Sequence, residues 1–181
     1  MRYGLIGWPL GHSISPQLHR RLAGVEYDLR PLPEAEFEAF MAARDFAAVN
    51  VTIPYKRRVL PYCAQLTPAA RRCGSVNLLI KGRDGTLTGD NTDLAGLEFL
   101  LRQNGWVLTG QTVVILGSGG TGHTAKAAAE ELGAAEIATV SRTGELNYEN
   151  LAKRFGKREF YLINTTPVGM APQSGVSPLD L

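Results

Sequence analysis

A chain of 181 residues, 44% of them hydrophobic, has material for one large domain or two small ones and for a real core. The net charge is +2, and the basic residues fall as separated pairs (Arg20-Arg21, Arg57-Arg58, Arg71-Arg72) that read as solvated helix surface, which argues against a nucleic-acid stripe. Cys63 and Cys73 lack CxxC spacing, which argues against a zinc site. They read as two reduced, partly buried thiols of a cytoplasmic protein; no signal peptide is visible and no apolar run is long enough to cross a membrane.

In chain order, Tyr3 to Gly7 reads as a buried strand. Ser15 to Leu22 follows as a capped helix, with Pro16 at its first position, where a missing N–H costs nothing. A strand fits Tyr27 to Leu32, and Glu34 to Ala43 is an amphipathic helix with Phe37, Phe40 and Met41 on one side. Ala48 to Thr52 is a third strand. After Pro54 come short helical pieces, one reaching Cys63 and one from Pro68 to Cys73. Val76 to Lys81 and Thr86 to Thr88 form a hairpin about Asp84-Gly85, and Asp93 to Gln103 is helical. The Asn104-Gly105 break then suggests a boundary, giving units 1–104 and 105–181. Thr112 to Leu116 is a continuous apolar strand. It is followed by a glycine loop, an alanine-rich helix to Leu132, a strand from Glu136 to Val140, a helix from Asn147 to Phe155 and a strand from Phe160 to Asn164. This order predicts an α/β fold, the second unit being a parallel sheet wound by right-handed crossovers.

Gly117-Ser118-Gly119-Gly120-Thr121-Gly122 satisfies GxGxxG directly after a strand and at the start of a helix. Glycines allow a tight turn and close backbone approach, and the helix N-terminus offers free N–H groups to a pyrophosphate. The alternative is a structural turn with no ligand. The next strand ends in Val140-Ser141-Arg142-Thr143, with no carboxylate until Glu145. An arginine there suits a 2′-phosphate, so NADP is favoured over NAD, unless Arg142 is only a solvated loop residue.

Four polar clusters punctuate the first unit at strand ends or helix starts: Gly11-His12-Ser13-Ile14-Ser15-Pro16, Asn50-Val51-Thr52-Ile53-Pro54-Tyr55-Lys56, Gly74-Ser75-Val76-Asn77 and Gly89-Asp90-Asn91-Thr92-Asp93. Strand ends are where ligands of α/β proteins gather. Singly, each has a plain explanation: Ser15 or Asp93 as a helix cap, Lys56 as a surface lysine, Asn77 as a turn residue. Together with the glycine loop and Asn164-Thr165-Thr166-Pro167-Val168-Gly169-Met170, they resemble the shikimate dehydrogenases in motif and in order across the chain. The resemblance implies an N-terminal αβ substrate-binding domain followed by a Rossmann-like NADP-binding domain. Ser13 and Ser15, assisted by Thr52, would hold a ring carboxylate, and Asn77 and Asp93 the ring hydroxyls. Lys56 would be the catalytic lysine, paired with Asp93 in handling the proton. Met170 and its loop would wall the nicotinamide. The implied reaction is 3-dehydroshikimate plus NADPH giving shikimate plus NADP⁺.

Two departures stand out. Gly-Ser-Val-Asn replaces the family's frequent Gly-Ala-Val-Asn, and the family continues well beyond the Asn164–Met170 loop. Only three strands of the second unit are complete, so that unit is expected to be partial, with an open edge near Phe160 to Asn164. Such an edge favours association, and a homodimer is compatible with it. Two other readings stay open: an NAD-preferring quinate/shikimate dehydrogenase, and a non-catalytic shikimate- or nucleotide-binding module.

Overall fold

The computed structural model describes residues 1–11, 13–170 and 174–179; His12 of the first polar cluster lies outside them. Two compact units are present, Met1–Thr92 and Asp93–Leu181.

The first unit contains β1 (Tyr3–Gly7), α1 (Ser15–Ala23), β2 (Asp28–Pro31), α2 (Glu34–Ala43), β3 (Ala48–Val51), a 3₁₀ turn (Leu60–Tyr62), β4 (Gln65–Leu66), α3 (Pro68–Cys73), β5 (Leu78–Lys81) and β6 (Leu87–Asp90). The strands form one mixed sheet in the order β2-β1-β3-β5-β6-β4. β1 runs parallel to β2 and β3, whereas β5 is antiparallel to β3 and β6. Alternation along the strands turns Ile6, Val49, Val51, Leu79 and Leu87 to one face, where Phe37 and Met41 of α2 close the core. Within it the rings of Phe37 and Tyr55 stack at 4.5 Å, and the Tyr55 hydroxyl donates to the Leu32 carbonyl at 2.6 Å. The opposite face carries Tyr3, Leu5, Ala48, Asn50, Leu78 and Ile80, none of them fully buried. Ile14, just before α1, and Leu18 and Leu22 within it are exposed, spaced four apart.

The second unit contains α4 (Asp93–Gln103), β7 (Thr112–Leu116), α5 (Gly120–Glu131), β8 (Glu136–Val140), α6 (Leu151–Phe155) and β9 (Tyr161–Asn164). Its sheet is parallel throughout, in the order β8-β7-β9. β7 is central and covered on both faces, which is why it reads as an unbroken apolar run. Val113 and Ile115 pack with Ala125, Ala129 and Leu132 on one side; Val114 and Leu116 pack with Val140, Leu151 and Phe155 on the other.

Several details differ from the sequence reading. The units divide after Thr92 rather than at Asn104-Gly105, because Leu101 buries with Leu108, Val113 and Ala125, with Leu97 packed alongside. Gly105, at φ 71°, follows the C-terminal end of α4 and is not a linker between units. The helix read from Asn147 begins only at Leu151. The Asn147 carboxamide accepts from the N–H groups of Glu149 and Asn150 at 3.0 and 3.1 Å, a local turn that competes with the first helical residues. Ser15 is the first residue of α1 and its side chain makes no cap bond; Ile14 holds the N-cap position. The segment after Pro54 is a series of turns up to Leu60.

Candidate functional site

At one end of the first sheet, β1, β3 and β6 finish and the antiparallel β5 begins. Ile6 lies beside Val51, Asn50 beside Leu78, and Leu78 beside Asp90. Backbone bonds stitch the loops leaving that end to one another. Thr52 N–H donates to the Ile6 carbonyl at 2.9 Å, Val51 N–H to Asn77 at 2.8 Å, Asn77 N–H to Asp90 at 3.0 Å and Val76 N–H to Lys56 at 2.7 Å. The structure thus brings the loops of Thr52, Lys56 and Asn77 together, and the loop that follows β1 carries Ser13 and leads into α1 at Ser15.

In that loop the Ser13 hydroxyl donates to the Ser15 hydroxyl at 3.0 Å and accepts from the Ser15 N–H at 3.2 Å. Both hydroxyls are partly buried. Asn77 is almost fully buried, and its carboxamide closes on Thr92: Oδ1 accepts from the Thr92 N–H at 2.9 Å and Nδ2 donates to the Thr92 hydroxyl at 3.0 Å. Next to it, Asn91 donates from Nδ2 to both the carbonyl and the hydroxyl of Ser75 at 3.0 Å, all within the buried interior. Thr52 and Lys56 are half-buried.

Behind these loops, the Tyr27 hydroxyl donates to Asn50 Oδ1 at 2.7 Å, and Asn50 Nδ2 donates to the Asn77 carbonyl at 3.3 Å. The His19 ring stacks on Tyr27 at 4.0 Å, with its Nδ1 at 2.9 Å from the Ser15 carbonyl. Burial pushes the Tyr27 phenol up to about 12. A cavity of about 210 Å³ lies beside this group, lined by Tyr3, His19, Tyr27, Ala48, Asn50 and Leu78 among others, but by none of Ser13, Ser15, Thr52 and Lys56. The candidate site is therefore the loop end of the sheet and not that cavity.

In the second unit the glycine loop joins β7 to α5. Gly117 has φ 106°, a conformation that favours glycine, and its N–H donates to the Val140 carbonyl at 2.8 Å. Gly119 is the N-cap of α5 and faces open space. Gly122 is buried so closely over the Gly117 carbonyl that no β-carbon fits between them. α5 starts without a side-chain cap and without an acidic residue in its first turn, with Ser118 and Thr121 exposed beside it. A helix start of this kind presents its positive dipole end to an anion. At the end of β8, Ser141 is half-buried, while Arg142 and Thr143 are exposed. Arg142 has no hydrogen bond or ion pair among the described residues. Asp93 opens α4 and is half-buried.

The loop after β9 is organised by Asn164, whose Oδ1 accepts from the Thr166 N–H at 2.9 Å and whose Nδ2 donates to the Val168 carbonyl at 3.0 Å. Met170 follows Gly169 and is exposed. Thr165, expected only as part of the loop beside the nicotinamide, also supports the glycine loop: its hydroxyl donates to the Leu116 carbonyl at 2.6 Å. It lay inside a recognised motif, as did Asn50, Asn91 and Thr92. Tyr27 did not, and its bond to Asn50 spans 23 positions, so no local signal could have shown it. Among the described residues no group of three or more His, Cys, Asp or Glu could hold a metal, and no helix is long and apolar enough to cross a membrane.

Residues 5–79 match the family model described as the shikimate dehydrogenase substrate binding domain. A shikimate dehydrogenase (NADP(+)) of Oleidesulfovibrio alaskensis is 35% identical over 198 residues, covering 98% of this chain and 70% of the relative. That of Methanothermobacter thermautotrophicus is 36% identical, covering 97% of this chain and 71% of the relative. Among solved structures, shikimate dehydrogenase 1 of Peptoclostridium difficile superposes with a TM-score of 0.89 at 30% identity, covering 99% of this chain and 73% of its own. The Thermus thermophilus shikimate 5-dehydrogenase in complex with NADP(H) and shikimate gives a TM-score of 0.78 at 31% identity, with coverages of 99% and 73%. With relatives this similar over nearly its whole length, the chain belongs to the shikimate dehydrogenase family.

Proposed function

We propose that this chain catalyses the reversible NADPH-dependent reduction of 3-dehydroshikimate to shikimate, a step on the route to chorismate and the aromatic amino acids. The observation that carries this reading is the convergence of the Thr52, Lys56 and Asn77 loops at one end of the first sheet, with Ser13 in the loop after β1 and Ser15 at the start of α1. It does so in a chain whose relatives are NADP-dependent shikimate dehydrogenases. Two cysteines without CxxC spacing, Cys63 and Cys73, suit a cytoplasmic enzyme.

The residues divide the work by chemistry. The hydroxyls of Ser13 and Ser15 each offer a donor to the ring carboxylate, exchanging their mutual bond for one to the anion, and Thr52 adds a third. Asn77 and Asp93 take the ring hydroxyls. Lys56 supplies a cationic donor to the ketone oxygen, stabilises the charge that builds there and delivers the proton that makes the alcohol. In the reverse direction the proton returns to Lys56, with Asp93 as the second group that can carry it. NADPH, when bound, supplies the hydride that reaches the carbonyl carbon. The second unit fits that cofactor: the N-terminal end of α5 suits the pyrophosphate, Gly119 leaves room for its approach, and Gly117, Ser118, Gly120, Thr121 and Gly122 complete the loop. Arg142 would hold the 2′-phosphate, with the hydroxyls of Ser141 and Thr143 to assist, and Met170 would wall the nicotinamide.

The test is turnover of the purified chain with shikimate and with quinate, each against NADP⁺ and NAD⁺. The largest kcat/KM belongs to shikimate with NADP⁺. No turnover with any pair would overturn the enzymatic assignment. Preference for NAD⁺ would overturn the role given to Arg142, and preference for quinate the substrate.

A further inference from the structure

We infer that Tyr27 and Asn50 are positioning residues that, with His19, set the distance between the carboxylate-binding end and the hydroxyl-binding end of the substrate site in the first unit. This rests on the functional reading above and adds three residues to which that reading gives no part.

The connection can be followed atom by atom. The Ser15 carbonyl lies 2.9 Å from His19 Nδ1, one turn further along α1. The His19 ring stacks on Tyr27 with 18° between the planes. The Tyr27 hydroxyl donates to Asn50 Oδ1 at 2.7 Å. Asn50 stands on β3, two positions before Thr52, and donates from Nδ2 to the Asn77 carbonyl at 3.3 Å, an atom that also accepts the Val51 N–H. Asn77 then closes on Thr92. One path of stacking and hydrogen bonds thus runs from Ser15 to Asn77 and passes beside Thr52.

The physical consequence concerns rigidity. Removing the Tyr27 hydroxyl takes a close donor from Asn50 Oδ1 and cuts the only hydrogen bond that this path has between Tyr27 and β3. A ligand held at both ends needs those ends at one spacing. A ligand held only by its carboxylate does not. Slack in the path therefore weakens the two-ended ligand selectively.

The experiment compares wild type with Tyr27→Phe, Asn50→Ala and the double variant. The phenylalanine keeps the ring, its volume and the stack on His19, so the fold should persist, and thermal melting monitors it. Binding is measured by calorimetry for shikimate and for cyclohex-1-ene-carboxylate, which keeps the carboxylate and lacks the hydroxyls. Turnover is measured alongside. Loss of one hydrogen bond predicts roughly a two- to tenfold weaker shikimate affinity for Tyr27→Phe. The hydroxyl-free acid, the NADPH KM and kcat should each stay within about twofold. Asn50→Ala should lose at least as much, and Tyr27→Phe should add nothing in that background, because both break the same path. Unchanged shikimate affinity in Tyr27→Phe, or equal weakening of both acids, overturns the inference alone. A wild type that binds no shikimate overturns the functional reading and the inference with it.

Discussion

Lys56 sits in a backbone that is anchored without its ammonium. The neighbouring Tyr55 is buried and bonded to Leu32, and the Lys56 carbonyl receives the Val76 N–H at 2.7 Å. Lys56→Ala should therefore leave the fold intact and remove the proton donor, lowering turnover by ~10²–10⁴-fold. NADPH affinity, followed by fluorescence titration, should barely change; a matching loss of cofactor affinity would show that Lys56 is structural. Arg142 offers the complementary case. It is exposed and makes no hydrogen bond or ion pair among the described residues, so Arg142→Ala should cost no stability. It should weaken NADPH by roughly ten- to a hundredfold, the effect of losing a charge-assisted contact of ~1.5–3 kcal/mol. NADH, without the 2′-phosphate, should be nearly unaffected. Equal weakening of the two cofactors would mean that Arg142 shapes the loop.

Among the elements, the turn from β7 into α5 is the most tightly specified, and its glycines are not equivalent. A methyl group at Gly122 would overlap the Gly117 carbonyl and press Thr165 Oγ1 at 3.2 Å, both fixed parts of the turn. Gly122→Ala should lower stability by about 1–3 kcal/mol in urea denaturation, the usual cost of overpacking. Gly119 has ordinary φ and nothing near its missing β-carbon, so Gly119→Ala should be close to neutral for stability and act, if at all, on cofactor affinity. Equal destabilisation by the two variants would contradict this division. The turn was legible in the sequence because its signal is local: a continuous apolar run, then glycines, then alanines. The helix read from Asn147 was overextended because a side-chain turn there outcompetes helix for the first residues. β4 has only two residues and no period to detect. Among the site residues, the loops could be read from their motifs, whereas the contacts that hold them could not. The Ser75–Asn91 and Asn77–Thr92 pairs close the open end of the β5–β6 hairpin; the Asp84-Gly85 turn signals that hairpin, but not the register that decides which side chains meet.

For the whole molecule, strand order has a meaning in time. All six strands of the first sheet lie before residue 91, so that sheet can be complete while later residues are still being added. The second sheet is built the other way. Its central strand, β7, comes first, and both of its neighbours, β8 and β9, come after it. Val113, Val114, Ile115 and Leu116, which show no exposed surface in the finished fold, must wait until Asn164 has been made before both of their edges are paired. At roughly 5–20 residues per second on the ribosome, that wait lasts seconds. Stalled nascent chains should show it under brief proteolysis. Once residues 1–92 have cleared the exit tunnel they should be protected, whereas the β7 segment should remain cleavable until β9 has also emerged. Protection of β7 before β9 appears would contradict this order of assembly. In vivo, the interval makes β7 the segment of the newborn chain with the most to gain from a chaperone.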